Sequence, residues 1–476
     1  MHCMMISARR ATCRGVRTLV TRIAAAHGAG EDATVVHFVP QIETLDGPRG
    51  DASALEQHDA DASEQRMRSD VAQICASAGG VHTHYRADGT RVLAVGTGEK
   101  LAESTPLALR SATAAAMGAA RRLRAASVSI ALPGVATAED VAAVTAGAIL
   151  AGQGFSRHTH TPKKEQKRVE SFALETVDLV TAAEGAPAAW ARAAAFANGT
   201  VYARDLVCRH GDELSPLQLE EEAVALAERT GLRATVLRES ELEALGANML
   251  LAVGQAATHK ARLVALEYDS ADGADETVAI VGKGVTFDTG GLNLKPTGSI
   301  EEMHMDMGGA GATLGAALAV ATLAPPKTRC VFVVAIAENA VAAEALKPLA
   351  VLTSMKGSTV SVGNTDAEGR LCLADAITWV QAAHKPDVIV DAATLTGACV
   401  VALGEYAAGL FANDDALALR LRDAGAAVGE RLHAMPIYPE HRAELTCDIA
   451  DLSSTGKGEF IFYLLFIYFV RILLTI

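Results

Sequence analysis

Thr277-Val278-Ala279-Ile280-Val281-Gly282-Lys283-Gly284-Val285-Thr286-Phe287-Asp288-Thr289-Gly290-Gly291-Leu292-Asn293-Leu294-Lys295 opens on an apolar run, Thr277 to Val281, that reads as a strand buried on both faces. Strands of that kind belong to parallel sheets, and function sits where they end. Here the end carries Lys283, Asp288 and Lys295. Downstream, Met303-His304-Met305-Asp306-Met307-Gly308-Gly309 adds another acid just before Ala310–Leu323, an Ala- and Gly-rich segment that reads as a buried helix. From Ala203 onward strands and helices alternate, the mark of an α/β domain around a mainly parallel central sheet.

Some eighty residues further on lies Asn364-Thr365-Asp366-Ala367-Glu368-Gly369-Arg370-Leu371. Read as an extended segment, it points Asp366, Glu368 and Arg370 to one side, with Thr365 and Ala367 facing the other way. Two carboxylates that close repel unless a cation separates them, which implies a metal site. Lys283, Asp288, Lys295, Asp306, Asp366, Glu368 and Arg370 are seven charged residues set in apolar or Gly-rich sequence. Buried charge of that kind is paired or metal-bound. Asp288 and Glu368 are the best bridging candidates, since a carboxylate can bind one ion through each oxygen. Lys283 on its own reads as an ion-pair partner of a neighbouring acid, and Lys295 and Arg370 can be read as counter-charges for the acids.

The octapeptide and the Lys-x(4)-Asp-x(6)-Lys-x(10)-Asp spacing from Lys283 to Asp306 resemble those of the leucine (cytosol) aminopeptidase family of two-metal exopeptidases. The likeness runs from about Ala203 to Ser454 and includes Glu338-Asn339, Ala393-Thr394-Leu395-Thr396-Gly397-Ala398 and Ala450-Asp451-Leu452. It implies Lys283, Asp288, Asp306, Asp366 and Glu368 as ligands of two divalent ions that share a water and polarise the scissile carbonyl. Lys283 must shed its proton to bind, as two adjacent dications favour. The resemblance also makes Lys295 the oxyanion contact, gives Arg370 a bicarbonate to hold, and sets Met303, Thr394, Leu395 and Gly397 at the substrate. By pattern alone Met303 is equally a core methionine. A donor set of oxygens with one amine suits Zn, Mn, Mg or Co. The implied partners are peptides with free N-termini, Leu-like ones preferred, and a homo-hexamer.

Composition supplies the outer bounds. A chain of 476 residues, 50% of them hydrophobic, can hold two domains with ample cores. The expected division is an N-terminal α/β domain over 1–183, a linker helix over 184–206, a catalytic domain over 207–458 and an aberrant apolar tail over 459–476. In the first domain, strands are expected near Val35–Val39, Arg91–Val95 and Ser127–Leu132, helices near Leu107–Leu123 and Glu139–Ala151, and a hairpin turn at 87–90. The net charge of −14 argues against nucleic acid or an anionic membrane as partner. Eight scattered cysteines without a Cys-x-x-Cys pair suit a reducing compartment. His158 to Lys164 reads as a solvated loop. Gly309-Ala310-Gly311 with Gly315 has the wrong spacing for a dinucleotide loop and reads as close helix packing. No Gly-x-Ser-x-Gly elbow offers a serine nucleophile.

Both ends invite a second reading. Residues 1–30 hold five arginines and no acid before Glu31, the composition of a mitochondrial transit segment as well as of an ordinary first strand and helix, so cytoplasm is the expected location and mitochondrion the alternative. From Phe460 to Val470 every residue is apolar, and 460–476 holds six of the twenty aromatics, an abrupt change after Gly456-Lys457-Gly458. The stretch is too short to span a bilayer and is interrupted by Arg471, so it reads as a read-through, frameshifted or misassembled end rather than an anchor. Where the family carries an Asn- and Pro-containing motif the chain has Val207 to Asp212, and Leu349-Ala350 replaces a Gly-Asp pair. With the family's own end replaced, the rival function is a catalytically weak scaffold or DNA-binding relative.

Overall fold

A computed structural model describes residues 20–23, 33–39, 41–44, 47–50, 81–85, 91–96, 106–123, 125, 127–132, 136–152 and 176–456. The turn expected at 87–90, the loop at 158–164 and the tail at 459–476 lie outside the described residues, as does all of the Arg-rich first segment except Val20–Ile23. The chain divides into two compact units, Met1–Val201 and Tyr202–Ile476.

Beside a two-stranded sheet of Gln41–Thr44 and Gly47–Gly50, the first unit holds one sheet of six strands: β1 (Val20–Ile23), β2 (Ala33–Val39), β3 (Val81–Tyr85), β4 (Arg91–Gly96), β5 (Ser127–Ala131) and β6 (Thr176–Val180). Their order is β1-β6-β5-β2-β4-β3, parallel throughout except for the antiparallel β3–β4 pair, in which Tyr85 faces Arg91. Alternate residues of these strands, Leu93, Val95, Val128, Ile130, Val177 and Leu179, are buried against α1 (Pro106–Arg122) and α2 (Ala138–Gly152). Period-two burial on the strands meets a stripe of small residues on the helices, Ala112, Ala116 and Ala120 among them. Helix α3 (Ala186–Val207) follows.

The second unit is built on a five-stranded sheet of β7 (Arg233–Leu237), β8 (Arg262–Asp269), β9 (Glu276–Asp288), β10 (Thr328–Asn339) and β11 (Val388–Ala392), in the order β11-β9-β10-β8-β7. β11, β9 and β10 run parallel, and β8 and β7 continue antiparallel. The sheet is apolar on both faces, and the alternation along β10 shows why. Val331, Val333, Ala335 and Ala337 join the core beneath α5 (Asn248–Gly254) and α7 (Gly369–His384). Phe332, Val334 and Ile336 join the opposite core beneath α4 (Pro216–Thr230) and α6 (Gly308–Leu323). Among the described residues, Met303–Leu323 is the one helix with the length and apolarity to cross a membrane. Its Ala310, Leu314 and Ala317 are fully buried in this core, which accounts for the composition.

Close backbone approach brings the site elements together. A Cβ at Gly309, in the first turn of α6, would lie 2.0 Å from the Ala392 carbonyl oxygen of β11. One at Gly369, opening α7, would lie 2.7 Å from Lys283 Cε. Only hydrogen fits at Gly309, and a Cβ at Gly369 would displace the Lys283 side chain, so both helix N-termini approach the strand ends that carry Lys283 and Asp288.

Candidate metal centre

Lys283 and Asp288 stand at the C-terminal end of β9, where a bulge between Val285 and Asp288 shifts the register against β10. Asp306 lies just before α6, and Asp366 and Glu368 just before α7. The octapeptide is not the extended segment expected from its alternating charges. Asn364 Oδ1 accepts the Asp366 N–H at 2.8 Å, an Asx turn, and the Ala367 N–H reaches the Asn364 carbonyl at 3.2 Å. Glu368 already has helical dihedrals (φ −74°, ψ −35°), and its carbonyl accepts from Leu371 and Cys372. Convergence of the two acids comes from a turn that runs into a helix N-terminus, whose positive dipole end favours anions. Arg370, as the second residue of α7, donates Nη1 to the Ser454 carbonyl at 2.7 Å. Thr365 does turn inward elsewhere: its Oγ1 donates to the Gly290 carbonyl at 2.6 Å and accepts the Asn293 N–H at 2.9 Å.

Four carboxylates are shared between two ammonium groups. Lys283 Nζ lies 2.8 Å from both Asp306 Oδ1 and Glu368 Oε1 and donates to the Thr394 carbonyl at 2.9 Å. Lys295 Nζ lies 2.9 Å from Asp288 Oδ2 and contacts Asp366 Oδ1. Thr394 Oγ1 donates to Asp306 Oδ1 at 2.8 Å, so Thr394 holds the metal-site groups themselves. Met303 occupies a half-buried turn three residues before Asp306, Leu395 packs in part against the core, and Gly397 precedes the short helix Ala398–Leu403.

Burial pushes the Glu368 carboxyl up to about 8; the pull of Lys283 is outweighed once the repulsion of Asp288 and Asp306 is added. Burial alone would lower the Lys283 ammonium, but Glu368 and Asp306 hold it well above its usual range. The pair moves in the same direction because one lysine serves several crowded acids: it stays charged, and the cluster retains a proton. Asp306 and Asp366 are raised by burial as well. Burial lowers Arg370 to about 10, with Glu368 opposing.

The residues fit a divalent ion. Ligand oxygens of Asp288, Asp366 and Glu368 lie within 4.8 Å of one another. Asp306 Oδ2 is buried with no hydrogen-bond partner, an acceptor left for something the protein does not itself supply. A cation would relieve both the orphaned oxygen and the excess of negative charge.

The sequence from 201 to 468 matches the cytosol aminopeptidase family, catalytic domain, past Ser454 and into the apolar end. The chain belongs to the cytosol aminopeptidase family. It is 39% identical over 369 residues to the probable cytosol aminopeptidase of Brucella melitensis biotype 1, covering 77% of this chain and 75% of that one. To the probable cytosol aminopeptidase of Geobacter sp. strain M21 it is 40% identical over 383 residues, 80% of this chain and 76% of that one. Among solved structures, the bottromycin maturation enzyme BotP in complex with Mn superposes with a TM-score of 0.78 at 30% identity, over 94% of this chain and 90% of that one. This aminopeptidase is therefore a metal-dependent hydrolase of peptides, and its acidic cluster lies inside the matched domain.

Asn339, noted in the sequence only as part of the family-like pair Glu338-Asn339 and given no role there, also belongs to this aminopeptidase site. Its Nδ2 bonds both Asp288 Oδ1 and the Thr365 carbonyl. The available signal was a polar residue closing a twelve-residue strand whose central run, Cys330 to Ala337, is buried and apolar.

Proposed function

We propose that the enzyme releases unblocked N-terminal residues, Leu-like ones preferred, by means of two divalent ions held by Lys283, Asp288, Asp306, Asp366 and Glu368. The convergence of Asp288, Asp366 and Glu368 within 4.8 Å carries this reading. Such ions supply Lewis acidity and an acidified water when bound. The donor set suits Zn, Mn, Mg or Co, and Mn in BotP makes it the first ion to test.

The remaining chemistry belongs to the chain. With two divalent ions bound the four carboxylates would be offset, so the preference for a free α-amino group would come from its lone pair, which an acylated nitrogen cannot offer. Lys295 stays protonated, since Asp288 and Asp366 raise it against the effect of burial. It can donate a charge-assisted hydrogen bond as negative charge grows on the carbonyl oxygen. Arg370, fixed through Ser454, is the group to hold a bicarbonate. Thr394 holds Asp306 in place, and Met303, Leu395 and Gly397 are assigned to the bound peptide. The same reading takes the protein as cytoplasmic and hexameric.

Leucyl and acetyl-leucyl substrates, each assayed with and without chelator, test this directly. Only the free substrate should be cleaved, and chelator should abolish its cleavage. Equal turnover of the two, or indifference to chelator, contradicts the proposal.

A further inference from the structure

Asn339 is 3% exposed, and the register of β10 against β9 sets it directly opposite Asp288, just past the bulge. Its Nδ2 donates to Asp288 Oδ1 at 2.8 Å and to the Thr365 carbonyl at 3.0 Å, so both amide hydrogens are used. Both partners are acceptors, which fixes the nitrogen as the atom facing them. Asp288 Oδ1 also accepts the Gly290 N–H at 2.9 Å. Two donors occupy that oxygen's lone pairs, and only Oδ2 remains turned to Lys295. Thr365 in turn is clasped to the 290–293 loop, with its N–H on Asn293 Oδ1 at 2.9 Å, and it immediately precedes Asp366. One amide thus ties the end of β9 to the residue before Asp366, linking two of the three converging acids.

We infer that Asn339 is a positioning residue for the metal centre, one that restricts Asp288 to offering a single oxygen, Oδ2, and fixes its separation from Asp366. The inference rests on the acidic cluster being a metal centre. It replaces the expectation that Asp288 bridges two ions through both oxygens: any sharing by Asp288 would pass through Oδ2 alone, which would leave Glu368 as the carboxylate able to offer both oxygens. Removing partners that orient a ligand typically weakens metal binding about 10- to 100-fold.

The test uses Mn(II) binding, followed by electron paramagnetic resonance, in wild type, Asn339→Ala and Asn339→Ser, together with the visible spectrum of the Co(II)-loaded proteins. Serine carries one hydroxyl hydrogen and can serve only one of the two acceptors. Both variants should bind Mn on the order of 10- to 100-fold more weakly. At full Co(II) occupancy their absorption bands should differ from wild type, because Asp288 is then free to turn its second oxygen to the metal. With saturating Mn, kcat for a leucyl peptide should fall while KM changes little. Folded variants with wild-type Mn affinity and an unchanged Co(II) spectrum overturn the inference. So does loss of folding in both variants even with Mn present, which marks Asn339 as purely structural. Wild type that binds no Mn overturns the underlying metal reading instead.

Discussion

Proton and metal compete for the same atoms at this site. Glu368 holds a proton until about pH 8 without metal, and Lys283 is held charged by Glu368 and Asp306. A group whose pKa is raised on folding stabilises the metal-free protein most at low pH, and that contribution is lost as pH rises through the raised value. Metal binding must displace these protons, so its apparent affinity rises with pH. We therefore expect the Mn-induced increase in melting temperature to be larger at pH 8 than at pH 6. An equal or smaller increase at pH 8 would mean that neither group releases a proton to the ion. Lys295 pairs with Asp288 and Asp366, and in the proposed reading it is not a ligand. Lys295→Ala should keep its metal and lose turnover by the 10²- to 10³-fold typical of an oxyanion donor; a metal-free variant would refute the role. At this scale Lys283, Asp288, Asp306, Asp366 and Glu368 were legible as charges in apolar sequence. Asn339 was not, because a neutral amide acquires meaning only from the strand register that sets it beside Asp288.

Among the elements, helix N-termini do most of the positioning. α6 and α7 begin where Gly309 and Gly369 allow contact with β11 and Lys283, and α5 is held by a carboxylate from α7. Asp375 Oδ2 accepts the Met249 and Leu250 N–H groups at 2.9 and 3.1 Å, and Oδ1 accepts that of Met355 at 2.9 Å. Asp375→Ala strands two buried donors and one part-buried donor and should cost roughly 2–3 kcal/mol in denaturant unfolding, at about 1 kcal/mol for each. Burial raises Asp375 to about 6 even though these three bonds oppose it. Its contribution is therefore fully present below the unfolded value and declines as pH rises through about 6. The deficit of the Ala variant should shrink from pH 5 to pH 7; a deficit that grows instead would show that the three N–H groups dominate over burial. The strands at Arg91–Gly96 and Ser127–Ala131 and the helices at Pro106–Arg122 and Ala138–Gly152 were legible within a few residues from their periodicity. The turn at 364–368 was not, since alternating charge mimics a strand and the Asn364 side chain decides the backbone locally.

For the molecule as a whole, the α/β class followed from apolar strands alternating with helices, and the family followed from two spaced motifs. Tertiary pairing was less accessible: the antiparallel additions β8 and β7 extend a sheet whose site-bearing strands are parallel. Nothing in the described residues gives the scaffold or DNA-binding reading a second footing, while the family match and the convergent acids support the enzyme. In the proposed reading, activity depends on ions held by the cluster that joins β9, α6 and α7. The most direct test of that reading is to strip the protein with chelator and titrate it with Mn, following bound metal per chain and leucyl-peptide hydrolysis together, in wild type, Asp288→Ala and Glu368→Ala. Wild type should bind two ions per chain, with activity returning in step with their binding, and both should be lost in the two variants. Activity that survives stripping, or variants that bind Mn as wild type does, would contradict the reading.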